Sequence, residues 1–225
     1  MVITTQNCAR FRHPEFTLEA DTSHIPEQYL QDTANIVEGM IAKGSIFRPG
    51  QTFQIGWMIT QVQSHASGLL TLAEPDMRTF PVKWVPGITQ TLRQTILQLF
   101  LLDSASFRKD VKMTTILQSA IVCSHYTARD FFMTRSDASN ENDSGWFIGC
   151  LNRKHDHHAP SNLKRLSLYD VFLHQRAIHG FMSFPVGSMI ILDKRRGMRI
   201  VRDGTEVPIE PGSLLDTWFK NQKKP

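Results

Sequence analysis

The stretch "DSASFRKDVKM" (Asp103–Met113) decides how the chain is divided. It is polar and lacks both proline and glycine, and it lies between a strongly amphipathic segment and an apolar one. Such a join separates two folding units without a long flexible linker, so two halves, 1–110 and 111–225, are expected to pack against each other. On its N-terminal side, "ITQTLRQTILQLFLLDSAS" places Leu92, Ile96, Leu99 and Leu102 on one helical face, with Thr89 as a candidate N-cap. Further back, "SHIPEQYLQDTANIVEGMIAKG" reads as a second helix, with Pro26 in its first turn and Gly44 ending it. "FRHPEFTLEA" alternates as a strand. "GQTFQIGWMITQVQ" and "GLLTLAEPD" suggest a hairpin around "SHASG".

On the other side of the join, "TILQSAIVCSHY" is an apolar strand-like run. The cluster in "TRSDASNENDSGWFIGCL" is a loop leading into a short aromatic strand, "GWFIGC". "SLYDVFLHQRAIHGF" reads as a helix capped by Ser167. "GSMIILDKRRGMRIVRDG" reads as two strands turning at Arg196–Gly197, and "GSLLDTWFKNQKKP" as a short terminal helix or arm. Neither half shows regular βαβ alternation. The expected class is therefore α+β: two small domains, each a mostly antiparallel sheet with one or two helices.

Composition narrows the function classes. Apolar residues make up 41% and charged residues 20%, enough for a real core. The longest apolar runs, such as "ILQLFLL", fall far short of the roughly 18 residues that span a bilayer, and no signal peptide is visible, so a cytoplasmic protein is expected. Three widely spaced cysteines, Cys8, Cys123 and Cys150, read as reduced buried thiols rather than a disulfide framework. Residues 1–110 carry 9 Lys+Arg against 10 Asp+Glu, and residues 111–225 carry 16 against 11. The basic excess of the second half calls for an acidic partner, protein or nucleic acid. Nucleic acid is disfavoured, because no helix-turn-helix, finger or aromatic RNP pattern accompanies the charge.

"CLNRKHDHHAPSN" (Cys150–Asn162) is the richest stretch for chemistry. His155 and His157 are spaced to share a face, with Cys150 or His125 to complete a metal site, yet no HExxH or CxxC pattern is present. No metal and no cofactor is assigned on this basis, because histidine-rich loops often bind metal adventitiously. A metal-dependent hydrolase is the alternative this loop leaves open, beside a basic nucleic-acid-binding or regulatory module. No catalytic residue is assigned either: "DSGW" lacks a nucleophile elbow, and Asp170 and His174 read as a helix-surface pair.

"AIVCSHY", "NDSGWFIG", a polar loop, "LSLYDVF" and "FPVGSMIILDKRRGMRIV" follow one another in order over roughly residues 115–208. This succession resembles the Imm33 (DUF2185) immunity-protein domain of bacterial polymorphic-toxin systems. The matching residues, Asp143, Ser144, Gly145, Trp146, Tyr169, Pro185, Gly187 and Ser188, are framework. The resemblance implies a protein that binds and neutralises a cognate toxin in the cytosol of the producing cell by occluding its active site or its activation. That role needs no enzyme activity and no membrane. The loop here departs from the family's usual acidic one. Arg153, Lys154, His155, Asp156, His157 and His158, joined by Lys194, Arg195 and Arg196, are therefore the candidate contacts to an acidic toxin surface. The first half is not placed in any family.

Overall fold

Apolar residues three and four apart (Leu30, Ala34, Val37 and Ile41) form the buried stripe of helix α1 (Glu27–Ala42). The helix ends where Gly44 turns left-handed and its N–H reaches back to the Ile41 carbonyl at 2.9 Å. The computed structural model describes residues 1–217, and the chain divides into units Met1–Ile96 and Leu97–Pro225. In the first unit α1 joins strands β1 (Val2–Thr4), β2 (Phe16–Glu19), β3 (Thr52–Ile55), β4 (Met58–Ser64), β5 (Leu70–Pro75) and β6 (Trp84–Pro86). Their order is β1-β2-β5-β4-β3 with β6 on β5, and only β2 and β5 run parallel. Phe16, Leu18, Leu30, Val37, Val62, Leu72 and Leu92 make its core.

Two details differ from the sequence pattern. Only the second part of "FRHPEFTLEA" is extended. Cys8–Phe11 forms a 3-10 turn, Arg12 is left-handed (φ 57°), and Pro14 has no N–H to give a ladder. Helix α2 (Thr89–Ser104) is capped by Glu74 rather than Thr89. The Gln90 and Thr91 N–H groups donate to the Glu74 carboxylate at 2.9 and 2.6 Å, while the Thr89 hydroxyl accepts from the Asp21 N–H. A carboxylate at a helix start meets both the free amides and the positive end of the dipole.

The second unit is built on strands β7 (Ser119–Cys123), β8 (Phe131–Arg135), β9 (Asp143–Cys150), β10 (Leu163–Ser167), β11 (Ser188–Asp193), β12 (Gly197–Arg202) and β13 (Thr205–Glu206). Their order is β10-β7-β9-β8-β11-β12-β13, all antiparallel except β7 with β9. Helix α3 (Leu168–His174) starts at Ser167, whose hydroxyl accepts from the Asp170 N–H at 3.0 Å. Trp146, Ile148, Phe172, Ile178, Phe181, Phe184, Ile190 and Ile200 are buried here. Both units are thus small α+β folds with mostly antiparallel sheets, as the sequence predicts. The terminal segment "GSLLDTWFKNQKKP" falls partly outside the described residues.

Candidate functional site

The registers of the second sheet sort the candidate residues onto its two ends. β9 pairs antiparallel with β8 from Arg135↔Trp146 to Phe131↔Cys150, β8 pairs with β11, and β7 runs beside β9. The motif residues at the start of β9 therefore share one end with the end of β8 and the start of β11. The end of β9, the start of β8 and the β11–β12 turn share the other.

The motif end is built inward around Arg135, a residue that sequence reading passes over. It is only 5% exposed. Its guanidinium donates to the carbonyls of Lys112 (2.6 Å), Met182 (3.3 Å) and Phe184, and lies 5.4 Å from the Trp146 ring centroid. Burial pulls its pKa down to about 10. The Trp146 indole N–H also donates to the Met182 carbonyl. Asp143 accepts from the N–H groups of Ser139 and Gly145 and from the Ser139 hydroxyl. Burial opposes its ionisation, but those hydrogen bonds and Arg165 hold its carboxyl below the ordinary range.

Ser144 donates to the Ser119 carbonyl at 2.7 Å and accepts from the Trp146 N–H, so its hydroxyl is spent on the backbone. Gly145 takes φ +73°, and a Cβ there would lie 2.1 Å from the Ser136 carbonyl oxygen. Gly187 takes φ +85° beside the Asp203 carboxylate and donates its N–H to the Arg135 carbonyl. Tyr169 is buried, and its N–H donates to the Ile116 carbonyl. Pro185 accepts from the Ser188 N–H in the turn entering β11. Each of these polar groups is engaged by its neighbours within the protein. Asp170, four residues before His174, accepts from the Ser167 hydroxyl at 2.7 Å within the helix cap.

The opposite end carries the exposed charge. Arg153, Lys154, Asp156 and His158 are exposed, as are Lys194, Arg195 and Arg196. Asp130 ties the two segments together: its carbonyl accepts from the Leu151 N–H at 3.1 Å, and its carboxylate accepts from the Lys194 N–H at 2.8 Å. Asp193 receives the N–H groups of Arg195 and Arg196, which, ahead of the other influences on it, keeps its carboxyl below the ordinary range and shapes the basic turn. Only β8 lies between β9 and β11, so their ends stand roughly 10 Å apart at the usual strand spacing.

His155 and His157 do not join that exposed set. Two Asx turns, Lys154 N–H to Asn152 Oδ1 and His158 N–H to Asp156 Oδ1, alternate the loop so that both imidazoles are half-buried. His157 sits edge-on to Phe132 and Phe147, with its Nε2 3.6 Å from the Cys150 Sγ. The His155 and His157 rings lie 4.8 Å apart, centroid to centroid. Cys123, buried on the neighbouring strand β7, accepts the Cys150 N–H on its sulfur at 3.3 Å. One potential ligand atom from each of Cys123, Cys150, His155 and His157 lies within 4.8 Å of the others. The His155 Nε2 is sealed from solvent without a hydrogen-bond partner among the described residues, at a typical cost of about 1–3 kcal/mol. Burial pushes the Cys123 thiol up. Burial first, and then His155, pulls the His157 imidazole down. Cys123 is the member that sequence reading missed. No local spacing marks it, and only the β7–β9 pairing delivers it.

Residues 105–203 match the family model of the Imm33-like domain. No curated protein and no solved structure matches the chain. Among the described residues, no helix is long and apolar enough to cross a membrane.

Proposed function

From the Imm33-like match over residues 105–203 we infer that this is an immunity protein, one that binds a cognate antibacterial toxin in the cytosol of the producing cell and blocks its active site or its activation. The observation that carries the contact surface is the joining of two basic segments, distant in sequence, through Asp130 at one end of the second sheet. Arg153 and Lys154 on one segment and Lys194, Arg195 and Arg196 on the other are exposed there together, while the shared motif residues are engaged in the scaffold at the far end. A rigid scaffold with a charged loop end suits recognition by electrostatic complementarity, which sets the association rate and the choice of partner. His155 and His157 belong behind that surface rather than on it. Asp156 and His158 complete it.

The test is co-production with the cognate toxin, sought among the neighbouring open reading frames. A quadruple reversal, Arg153→Glu, Lys154→Glu, Arg195→Glu and Arg196→Glu, should slow association at low salt by at least about tenfold, and raising the salt should shrink the wild-type advantage. Unchanged affinity and unchanged protection of the cell would remove this end of the sheet as the interface.

A further inference from the structure

Four side chains of two ligand types converge where the loop between β9 and β10 meets the sheet. We propose that Cys123, Cys150, His155 and His157 bind one zinc ion in a closed tetrahedral site that fastens this loop to the ends of β7 and β9. The donor set points to the metal. Two sulfurs and two imidazoles suit zinc, and the hard cations magnesium and calcium want oxygen. Distances agree as well. Zinc–sulfur bonds of ~2.3 Å and zinc–nitrogen bonds of ~2.05 Å at tetrahedral angles put sulfur and nitrogen ~3.6 Å apart, two sulfurs ~3.8 Å and two nitrogens ~3.3 Å. The Cys150 Sγ and His157 Nε2 already stand at 3.6 Å, and the four atoms lie within 4.8 Å of one another. Closing on an ion needs only side-chain rotations of about an ångström.

Three independent features surround the cluster as they would a bound ion. The His155 Nε2 is shielded from water and has no partner among the described residues, so an ion would satisfy it. The Cys150 N–H points at the Cys123 sulfur, a contact that steadies a thiolate. Phe132 and Phe147 wall His157 on its outer side, and they close in because position 149 is glycine. A Cβ on Gly149 would lie 2.6 Å from the Phe132 ring and 2.9 Å from that of Phe147. Four protein ligands leave no open coordination position, so the site is structural and supplies no hydrolytic water. If the immunity reading holds, the ion presents Arg153, Lys154, Asp156 and His158 in one fixed conformation, and binding does not have to order the loop.

The experiment uses the full chain without a polyhistidine tag, purified in reductant and dialysed against metal-free buffer. Elemental analysis should find one zinc per chain. Cobalt(II) replacing it should show the visible bands of a tetrahedral ion and a sulfur charge-transfer band in the near ultraviolet. His157→Gln and Cys123→Ser should weaken zinc binding beyond the roughly 10- to 100-fold typical of losing an outer-shell partner, while His125→Gln, whose ring packs 4.6 Å from that of His155, should stay within that range and His158→Gln should leave binding intact. His157 is the less buried of the two ligands tested, so His157→Gln serves where Cys123→Ser does not fold. Substoichiometric zinc, loss of zinc in His158→Gln but not in His157→Gln, or a Cys123–Cys150 disulfide in protein alkylated at lysis would each overturn the site. None of these readouts involves a toxin, so failure here is distinct from failure of the immunity reading.

Discussion

Arg135→Met tests whether the second unit is organised around a buried cation. The substitution removes the donor from three carbonyls, but not all three are stranded. The Met182 carbonyl keeps the Thr114 hydroxyl at 3.1 Å and the Trp146 indole at 3.3 Å. That of Phe184 is buried and loses its donor, while that of Lys112, on an exposed residue, can turn to water. A stranded buried carbonyl costs about 1–3 kcal/mol, and the cation over Trp146 is worth ~1 kcal/mol or more. Against this, methionine relieves a buried charge. A guanidinium pKa lowered from 12.5 to about 10 corresponds to ~3 kcal/mol of burial cost at ~1.36 kcal/mol per pH unit. The net loss is ~1 kcal/mol or less, a fall in melting temperature of at most roughly 5 °C for a unit of this size.

Arg135→Lys should be worse than methionine, at ~3 kcal/mol. It keeps a charge to bury, and its more strongly hydrated ammonium ends one bond short of Nη1, the single nitrogen that meets all three carbonyls. Urea unfolding followed by far-ultraviolet circular dichroism measures both variants. A lysine variant as stable as the wild type would refute the reasoning, because a shorter point charge would then serve the carbonyls as well as the Nη1 of the guanidinium does.

Two further outcomes concern the motif residues. Gly145→Ala should lose more than ~3 kcal/mol or fail to accumulate, because left-handed backbone costs ~1–2 kcal/mol and its Cβ would also meet the Ser136 backbone 2.1 Å away. Gly187→Ala, equally left-handed but facing the movable end of Asp203, should lose only the ~1–2 kcal/mol of backbone strain; equal melting temperatures for the two variants would contradict this. Asp143 has a folded carboxyl below its ordinary 3.8, so the folded state binds fewer protons there than the unfolded chain does. Its contribution is therefore fully present above about pH 4 and lost as pH falls through the lowered folded value. Asp143→Asn should cost ~1–2 kcal/mol at pH 6, and the gap should shrink by pH 2 in urea titrations at both values; a pH-independent gap would argue against it.

The helices were the most legible elements. In α1 the apolar pairs Tyr29/Leu30, Ile36/Val37 and Met40/Ile41 put Leu30, Val37 and Ile41 in the core as their spacing predicts, although Ile36 faces out, and Ser167 caps α3 from within a few positions. The turn at Arg196–Gly197 is local in the same sense. Strands β8 and β10 escaped sequence reading. "FFMTR" carries the cationic Arg135 into the interior, where a local pattern puts a surface residue, and "LKRLS" is a largely exposed edge strand paired only with β7. Local reading puts the α2 cap on the adjacent Thr89. Glu74 does the work from sixteen residues away.

The loop "CLNRKHDHHAPSN" shows the same division. Composition alone marked it as charged and imidazole-rich, and framed it between "DSGWFIG" and "LSLYDVF". Side-chain direction was beyond that reading. Asx turns send His155 and His157 inward and leave their neighbours outside. The partner for those histidines is Cys123, 27 residues before Cys150, and the parallel pairing of β7 with β9 alone brings it there. Asp130 likewise joins basic segments that lie more than thirty residues apart in the chain. Helix periodicity, caps and turns come from short-range sterics and hydrogen bonds, so the sequence carries them locally. Which sulfur meets which imidazole, and which charges share a surface, depend on strand register, and register is set by the packing of the whole sheet.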